Sequence, residues 1–197
     1  LNMTVTEASR HLQRLSEARL IQKDVEGSYG LTPFGELILS LLSGLGFVSR
    51  YSDYFMKYDV SPIPYEFIGR IGELMEGGLG ADTLKNIHET EKMFREAQEY
   101  IWILSDQILM SAAPIVAEKV RSAVEYRVIL PEGIVQHPDY KPLIPSAPNF
   151  QKKVLPKVEV VIVMTEKVAA FCLPNRSGRI DYTGFGGSDP KFHKWCK

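Results

Sequence analysis

Residues 5–35 read V-T-E-A-S-R-H-L-Q-R-L-S-E-A-R-L-I-Q-K-D-V-E-G-S-Y-G-L-T-P-F-G, and the local signals in that run set the fold of the first part of the chain. Val5, Ala8, Leu12 and Leu15 recur at spacings of three and four, which gives a helix one apolar stripe, and Thr4 or Thr6 supplies its N-cap. Ala18-Arg19-Leu20 then turns the chain. Ile21 to Asp24, Glu26-Gly27-Ser28 and Tyr29 to Leu31 read as a short hairpin. Thr32-Pro33 opens a second helix, with threonine as the cap and proline at the first helical position, where its missing N–H costs nothing.

Working outward, Leu37 to Val48 is apolar nearly all round, so this second helix must be covered on more than one face, by its own domain or by a second copy of the chain. Asp59-Val60-Ser61-Pro62-Ile63-Pro64 is a breaker cluster, and Glu76-Gly77-Gly78-Leu79-Gly80 reads as a flexible joint after the helix-like Tyr65 to Met75. A domain boundary is expected there: residues 1–58, a linker with a connecting helix over 59–80, and a second domain over 81–197. In that second domain, helices Asp82 to Gln98 and Pro114 to Ala123 alternate with strands Tyr100 to Leu104 and Tyr126 to Leu130, the order of a parallel sheet buried on both faces. Pro131 to Pro148 reads as loop with one helical turn. Lys153 to Leu155, Val158 to Met164 and Val168 to Leu173 add strands, the last two paired around Thr165-Glu166-Lys167, so a mixed sheet flanked by helices is expected.

Composition narrows the function classes. The 197 residues are 45% hydrophobic, enough for a full core. A net charge of −1 excludes a global positive field, so any polyanion must be held by a small, local surface. Cys172 and Cys196 are too few for a disulfide framework and too far apart for a metal knuckle, which points to a reducing, cytoplasmic setting. No stretch reads as a membrane span or a signal peptide, and no cofactor or metal motif is expected.

The first helix carries the sharpest chemical signal. Opposite its apolar stripe stand Thr6, Ser9, Arg10, Gln13 and Arg14. Arginine matches guanine edges in a DNA major groove, glutamine can match adenine, and threonine and serine suit phosphates. A plain solvated face has a similar composition. Helix, turn and hairpin in this order belong to a winged helix, in which Lys23 and Ser28 would place the wing on the DNA backbone, with Asp24 and Glu26 offsetting its charge.

Val5 to Leu20 resembles the recognition helix of arsenic-repressor-like winged-helix regulators, and Lys23 to Leu31 followed by Thr32-Pro33-Phe34-Gly35 resembles their wing and next helix. The resemblance implies two earlier helices covering Val5, Ala8 and Leu12, so a partial winged helix-turn-helix is expected. Ile71 to Leu74, Tyr126 to Pro131, and Gly178 to Tyr182 with Phe192 to Cys196 resemble the archaeal regulators grouped with the methanogenesis regulatory proteins. That family implies a homodimer, with its seam expected along Phe34 to Val48, bound to double-stranded operator DNA and carrying a C-terminal domain for an unknown small-molecule effector. The expected fold class is therefore a two-domain α+β chain: the partial winged helix-turn-helix, then an α/β sensor domain with a mixed sheet similar to a degenerate phospholipase D-like half.

The enzyme reading lacks its nucleophile. A phospholipase D site needs histidine with lysine two residues on, and His11, His88, His137 and His193 are followed at that position by Gln13, Thr90, Asp139 and Trp195. Asp106 and Arg127 at strand ends, with Asp181, Tyr182 and His193 around the glycine-rich Gly184 to Ser188, are the candidate effector site. Asp181 as a turn residue, Asp189-Pro190 as a helix start and Arg127 as a structural ion pair are the plainer alternative. Cys196, near Lys194 and Lys197, is a candidate for a thiol of lowered pKa, and Cys172 for inert packing.

Overall fold

The computed structural model describes residues 3–137 and 147–197. Helix α1 (Val5–Glu17) starts at Thr4, whose hydroxyl accepts from the Glu7 N–H while the Glu7 carboxylate accepts from the Thr4 N–H, a reciprocal cap that Thr-x-x-Glu spells out. Strands β1 (Ile21–Lys23) and β2 (Tyr29–Leu31) pair antiparallel. Their turn is closed by the Asp24 carboxylate, which accepts from the Glu26 and Ser28 N–H groups at 2.9 and 2.8 Å. Helix α2 (Pro33–Arg50) is capped by Thr32 with proline in its first turn, and the Thr32 hydroxyl also donates to the Arg19 carbonyl at 2.6 Å. Gly35 lets α2 come down on the hairpin: a Cβ there would run into the Leu20 carbonyl oxygen.

Short helices α3 (Ser52–Phe55) and α4 (Tyr65–Ile68) and a 3₁₀ turn at Ile71–Leu74 follow. Strand β3 (Gly78–Gly80) then enters a sheet completed by β4 (Tyr100–Leu104), β5 (Glu125–Pro131), β6 (Phe150–Leu155), β7 (Val161–Thr165), β8 (Ala169–Cys172) and β9 (Gly184–Gly187). The strand order is β3-β9-β8-β7-β4-β5-β6; β4, β5 and β6 run parallel and every other pair is antiparallel. Helices α5 (Thr83–Glu96) and α6 (Ala113–Arg121) cover one face, α7 (Glu132–Val135) follows β5, and α8 (Pro190–Cys196) lies on the other face, capped by Asp189. The mixed sheet with flanking helices agrees with expectation. Part of the loop read over Pro131 to Pro148 lies outside the described residues.

Three expectations need correction. The glycine-rich run read as a flexible joint enters a strand, and the glycine-rich Gly184–Gly187 forms another: β3 pairs with β9, and β9 with β8. Gly184 permits that pairing because a Cβ would collide with the Phe171 carbonyl, while Phe185, pointing the other way, is 1% exposed among Phe47, Tyr54 and Phe171. Residues 59–80, read as linker and connecting helix, contribute Ile63, Leu74 and the edge strand to that same core. The sheet is also not covered throughout: Arg127, Gln151 and Lys153 on β5 and β6 are exposed on the face opposite α5 and α6.

Candidate functional site

The stripe opposite the apolar side of α1 is open to solvent. Thr6, Ser9, Arg10, Gln13 and Arg14 are all exposed, and so are Lys23 and Ser28 on the hairpin. Gln13 donates to the Glu17 carboxylate at 2.9 Å, so it must exchange that bond for a base, and Glu17 places a negative charge within the basic side. The Lys23 ammonium lies 5.7 Å from the Tyr29 ring. Ser28 lends its N–H to the Asp24 turn, which leaves its side chain outward. No residue of α1 is fully buried, and Val5 is 87% exposed.

Along α2 the buried positions are Gly35 and Phe47, and Ser40, Ser43, Gly44 and Phe47 share one side, which Gly44 and Ser43 press against the 3₁₀ turn at Gly72. Next to that side stand Phe34, Leu37, Leu41 and Leu45, all exposed by half or more. Their spacing of three and four aligns them in one apolar stripe along the helix.

A cavity of about 620 Å³ lies between the sheet and helices α5 and α6. Its floor is built of small and branched side chains: Ala170 on β8, Val163 on β7, Ile103 on β4 and Val128 on β5, which neighbour one another across the sheet. Ile103 and Ala170 remain half-buried in spite of the helices above them, so solvent reaches the middle of this face. Met93 of α5 and Val116 of α6 line the roof.

Tyr182 lines the cavity and donates its hydroxyl to the Asp106 carboxylate at 3.2 Å. Its backbone is left-handed, with φ 61°, an unusual state for a bulky residue. Three bonds hold that turn: Asn86 donates to the Tyr182 carbonyl at 2.8 Å, Thr83 to the Asp181 carbonyl at 2.8 Å, and the Tyr58 hydroxyl to the Asp181 carboxylate at 2.9 Å. Burial pushes the Asp106 carboxyl above the usual aspartate range, against the opposing effect of the Tyr182 bond. Burial likewise raises the Tyr182 phenol, and Asp106 adds to it.

Of the expected effector residues, Asp106 and Asp181 come together with Tyr182, and of these three Tyr182 lines the cavity. Arg127 does not: it stands on the opposite face, 2.7 Å from Glu125 and 4.8 Å over the Trp102 ring, the structural ion pair weighed as the plainer alternative. His193 is on α8, on the far side of the sheet, and its Nε2 is buried with no hydrogen-bond partner among the described residues. Cys196 is buried, and burial pushes its thiol up to about 12, the reverse of the lowered pKa that its lysine neighbours suggest. Cys172, packed as expected, is held up to about 12 for the same reason. The residues missed were Ala170, Ile103 and the α5 and α6 positions that roof the cavity; nothing in a run of small apolar residues marks a void.

These elements define a mixed α+β protein with a seven-stranded mixed sheet, a hairpin-bearing helical segment before it and a cavity on one sheet face. No family model matches the sequence, and neither does any curated protein. Among solved structures it is similar to TrmBL2, described as an archaeal chromatin protein with a novel mode of DNA binding, at a TM-score of 0.44 and 12% identity over 98% of this chain and 82% of that one. It is also similar to NucT from Helicobacter pylori, at a TM-score of 0.44 and 10% identity over 60% of this chain and 89% of that one. Likenesses this distant carry no weight for function. Among the described residues no helix is long and apolar enough to cross a membrane, and no three His, Cys, Asp or Glu side chains converge as a metal site would require.

Proposed function

We propose that the chain is a homodimeric, DNA-binding transcription regulator whose α/β part responds to a small molecule. The observation that carries this reading is the exposed polar side of α1, with Arg10 and Arg14 beside Thr6, Ser9 and Gln13, standing next to a polar hairpin. A helix of this composition fits a major groove, and the hairpin, through Lys23 and Ser28, fits the adjoining backbone. The net charge of −1 confines the contact to that surface. The apolar stripe Phe34, Leu37, Leu41 and Leu45 on α2 suits a second copy of the chain, which would set the spacing of the two recognition helices. The cavity beneath α5 and α6 is the effector site in this reading, and no catalytic role is assigned to the chain, since no histidine is followed by a lysine two residues on. Fluorescence anisotropy with duplexes from the region upstream of the protein's own gene tests it: selective, salt-sensitive binding that Arg10→Ala weakens supports the reading, and equal or absent binding contradicts it.

A further inference from the structure

Part of one sheet face is open to solvent. Across β4, β5 and β6, Trp102 stands beside Arg127 and Arg127 beside Gln151, while Leu104 stands beside Ile129 and Ile129 beside Lys153. Paired residues share a face, and Met164, the partner of Trp102 on β7, is buried in the core that holds α8, so all of these side chains lie on the α8 side. Helix α8 packs on β7 and β8. Beyond it, Arg127, Gln151 and Lys153 are exposed, and Trp102, Leu104, Ile129 and Leu155 are half-buried.

Trp102 is the centre of this open tract. Its ring lies 4.8 Å from the Arg127 guanidinium and 5.1 Å from the Lys197 ammonium, and its indole N–H donates to the Glu125 carboxylate at 2.7 Å. Glu125 also takes Arg127 at 2.7 Å, which steadies the guanidinium and offsets its charge. Lys153 and Lys197 add positive charge, whereas Lys157 and Glu159, just after β6, offset each other at 2.6 Å. Glu99 and Glu166 belong to the other end of β4, beside Tyr100. The tract is therefore aromatic and apolar in its middle, with a surplus of cations around it.

This make-up suits a flexible polyanion that carries flat rings. Phosphates answer Lys153, Lys197 and the outward N–H groups of Arg127, and bases stack on the indole or the guanidinium or lie over Leu104 and Ile129. An acidic peptide fits less well, because the π-face of Trp102 is negative and repels a carboxylate. A duplex keeps its ring faces stacked within itself, so the indole gains nothing from it. Strands about 4.8 Å apart, with same-face residues about 6.6 Å apart along each, leave room for about two or three bases. We propose that this open sheet face, around Trp102, Arg127, Lys153 and Lys197, binds single-stranded nucleic acid. It is a second surface, on other elements than α1, and stands independently of the regulator reading.

Intrinsic tryptophan fluorescence of the full chain tests it. The chain has two tryptophans; Trp195 is buried, with its indole N–H donating to the Phe67 carbonyl at 2.9 Å, so quenching by a stacked base reports Trp102, and α1 holds no tryptophan. An oligothymidylate about 12 nucleotides long is expected to quench saturably, with affinity falling roughly twentyfold between about 50 and about 200 mM salt, the slope of three phosphate contacts on a single strand. Lys153→Glu, at an exposed position of an edge strand, weakens binding about fivefold or more. Trp102→Leu, followed by anisotropy of the fluorescein-labelled oligomer, also weakens it about fivefold or more, as loss of a stacking platform requires. Arg10→Ala leaves the quenching titration unchanged. Absent saturation, wild-type affinity in either variant of this face, equal quenching by a duplex of the same length, displacement by polyglutamate at matching charge concentration, or a loss in Arg10→Ala as large as in Lys153→Glu overturns the proposal.

Discussion

Leu41→Ala tests the proposed dimer seam along α2. Leu41 is 68% exposed and shares its stripe with Phe34, Leu37 and Leu45. Fully burying a leucine side chain contributes about 1.5–3 kcal/mol, so covering the exposed two-thirds of Leu41 contributes about 1–2 kcal/mol in each protomer. A two-fold interface uses each side chain twice, which makes about 2–4 kcal/mol per dimer. Alanine retains a minor part of this, so the loss is about 1.5–3 kcal/mol and the dimer dissociation constant rises roughly ten- to hundredfold. Sedimentation equilibrium measures that constant directly. Leu84→Ala is the control: Leu84 on α5 is 79% exposed but lies off the stripe, and its loss leaves the constant unchanged. A wild-type chain that stays monomeric, or equal shifts in both variants, rules out a dimer seam at this stripe.

Asp106 also has a pH signature. Its carboxyl is held above the usual aspartate range by burial, so the folded chain binds this proton up to a higher pH than the unfolded chain does, and stability falls as pH rises from the ordinary aspartate range upward. Asp106→Asn therefore melts above wild type at neutral pH, and the difference closes below about pH 4; a variant melting at or below wild type throughout contradicts the burial argument. The thiols of Cys172 and Cys196, both pushed up to about 12, should resist alkylation near pH ~8 until the chain is denatured, and fast labelling of the native protein contradicts their burial. Gly35→Ala forces the hairpin and α2 apart at the Leu20 carbonyl, with an expected loss of about 1–3 kcal/mol in denaturant unfolding; an unchanged midpoint shows that the contact is not tight.

What could be read in the chain was local. Thr4, Thr32-Pro33 and Asp189-Pro190 start helices because their side chains or missing N–H answer orphan backbone groups within a turn, and the structure uses each of them so. Tyr100 to Leu104 and Val161 to Thr165 announce strands through their own side chains. β3 and β9 do not. Glycine leaves no alternation to read, and those strands exist because distant neighbours accept their backbone groups and Phe185 finds an aromatic core. At the candidate site, Asp106 was legible as a polar residue at a strand end, and Asp181 and Tyr182 as polar residues beside a glycine-rich run. Arg127 looked equivalent, but the pleat turns it to the other face, onto Trp102 and Glu125. The cavity was invisible in sequence because it is defined by what Ala170 and Ile103 leave unfilled once α5 and α6 lie over them.

Whether α1 reads DNA, as proposed, is decided most directly by anisotropy of wild type and Arg10→Ala on a duplex from upstream of the protein's own gene and on its scrambled counterpart, across a salt series. A DNA-reading α1 gives preference for the native duplex, affinity falling with salt, and a loss of about 1–3 kcal/mol in the variant on the native duplex. Equal affinity for both duplexes, or a variant indistinguishable from wild type, would contradict it.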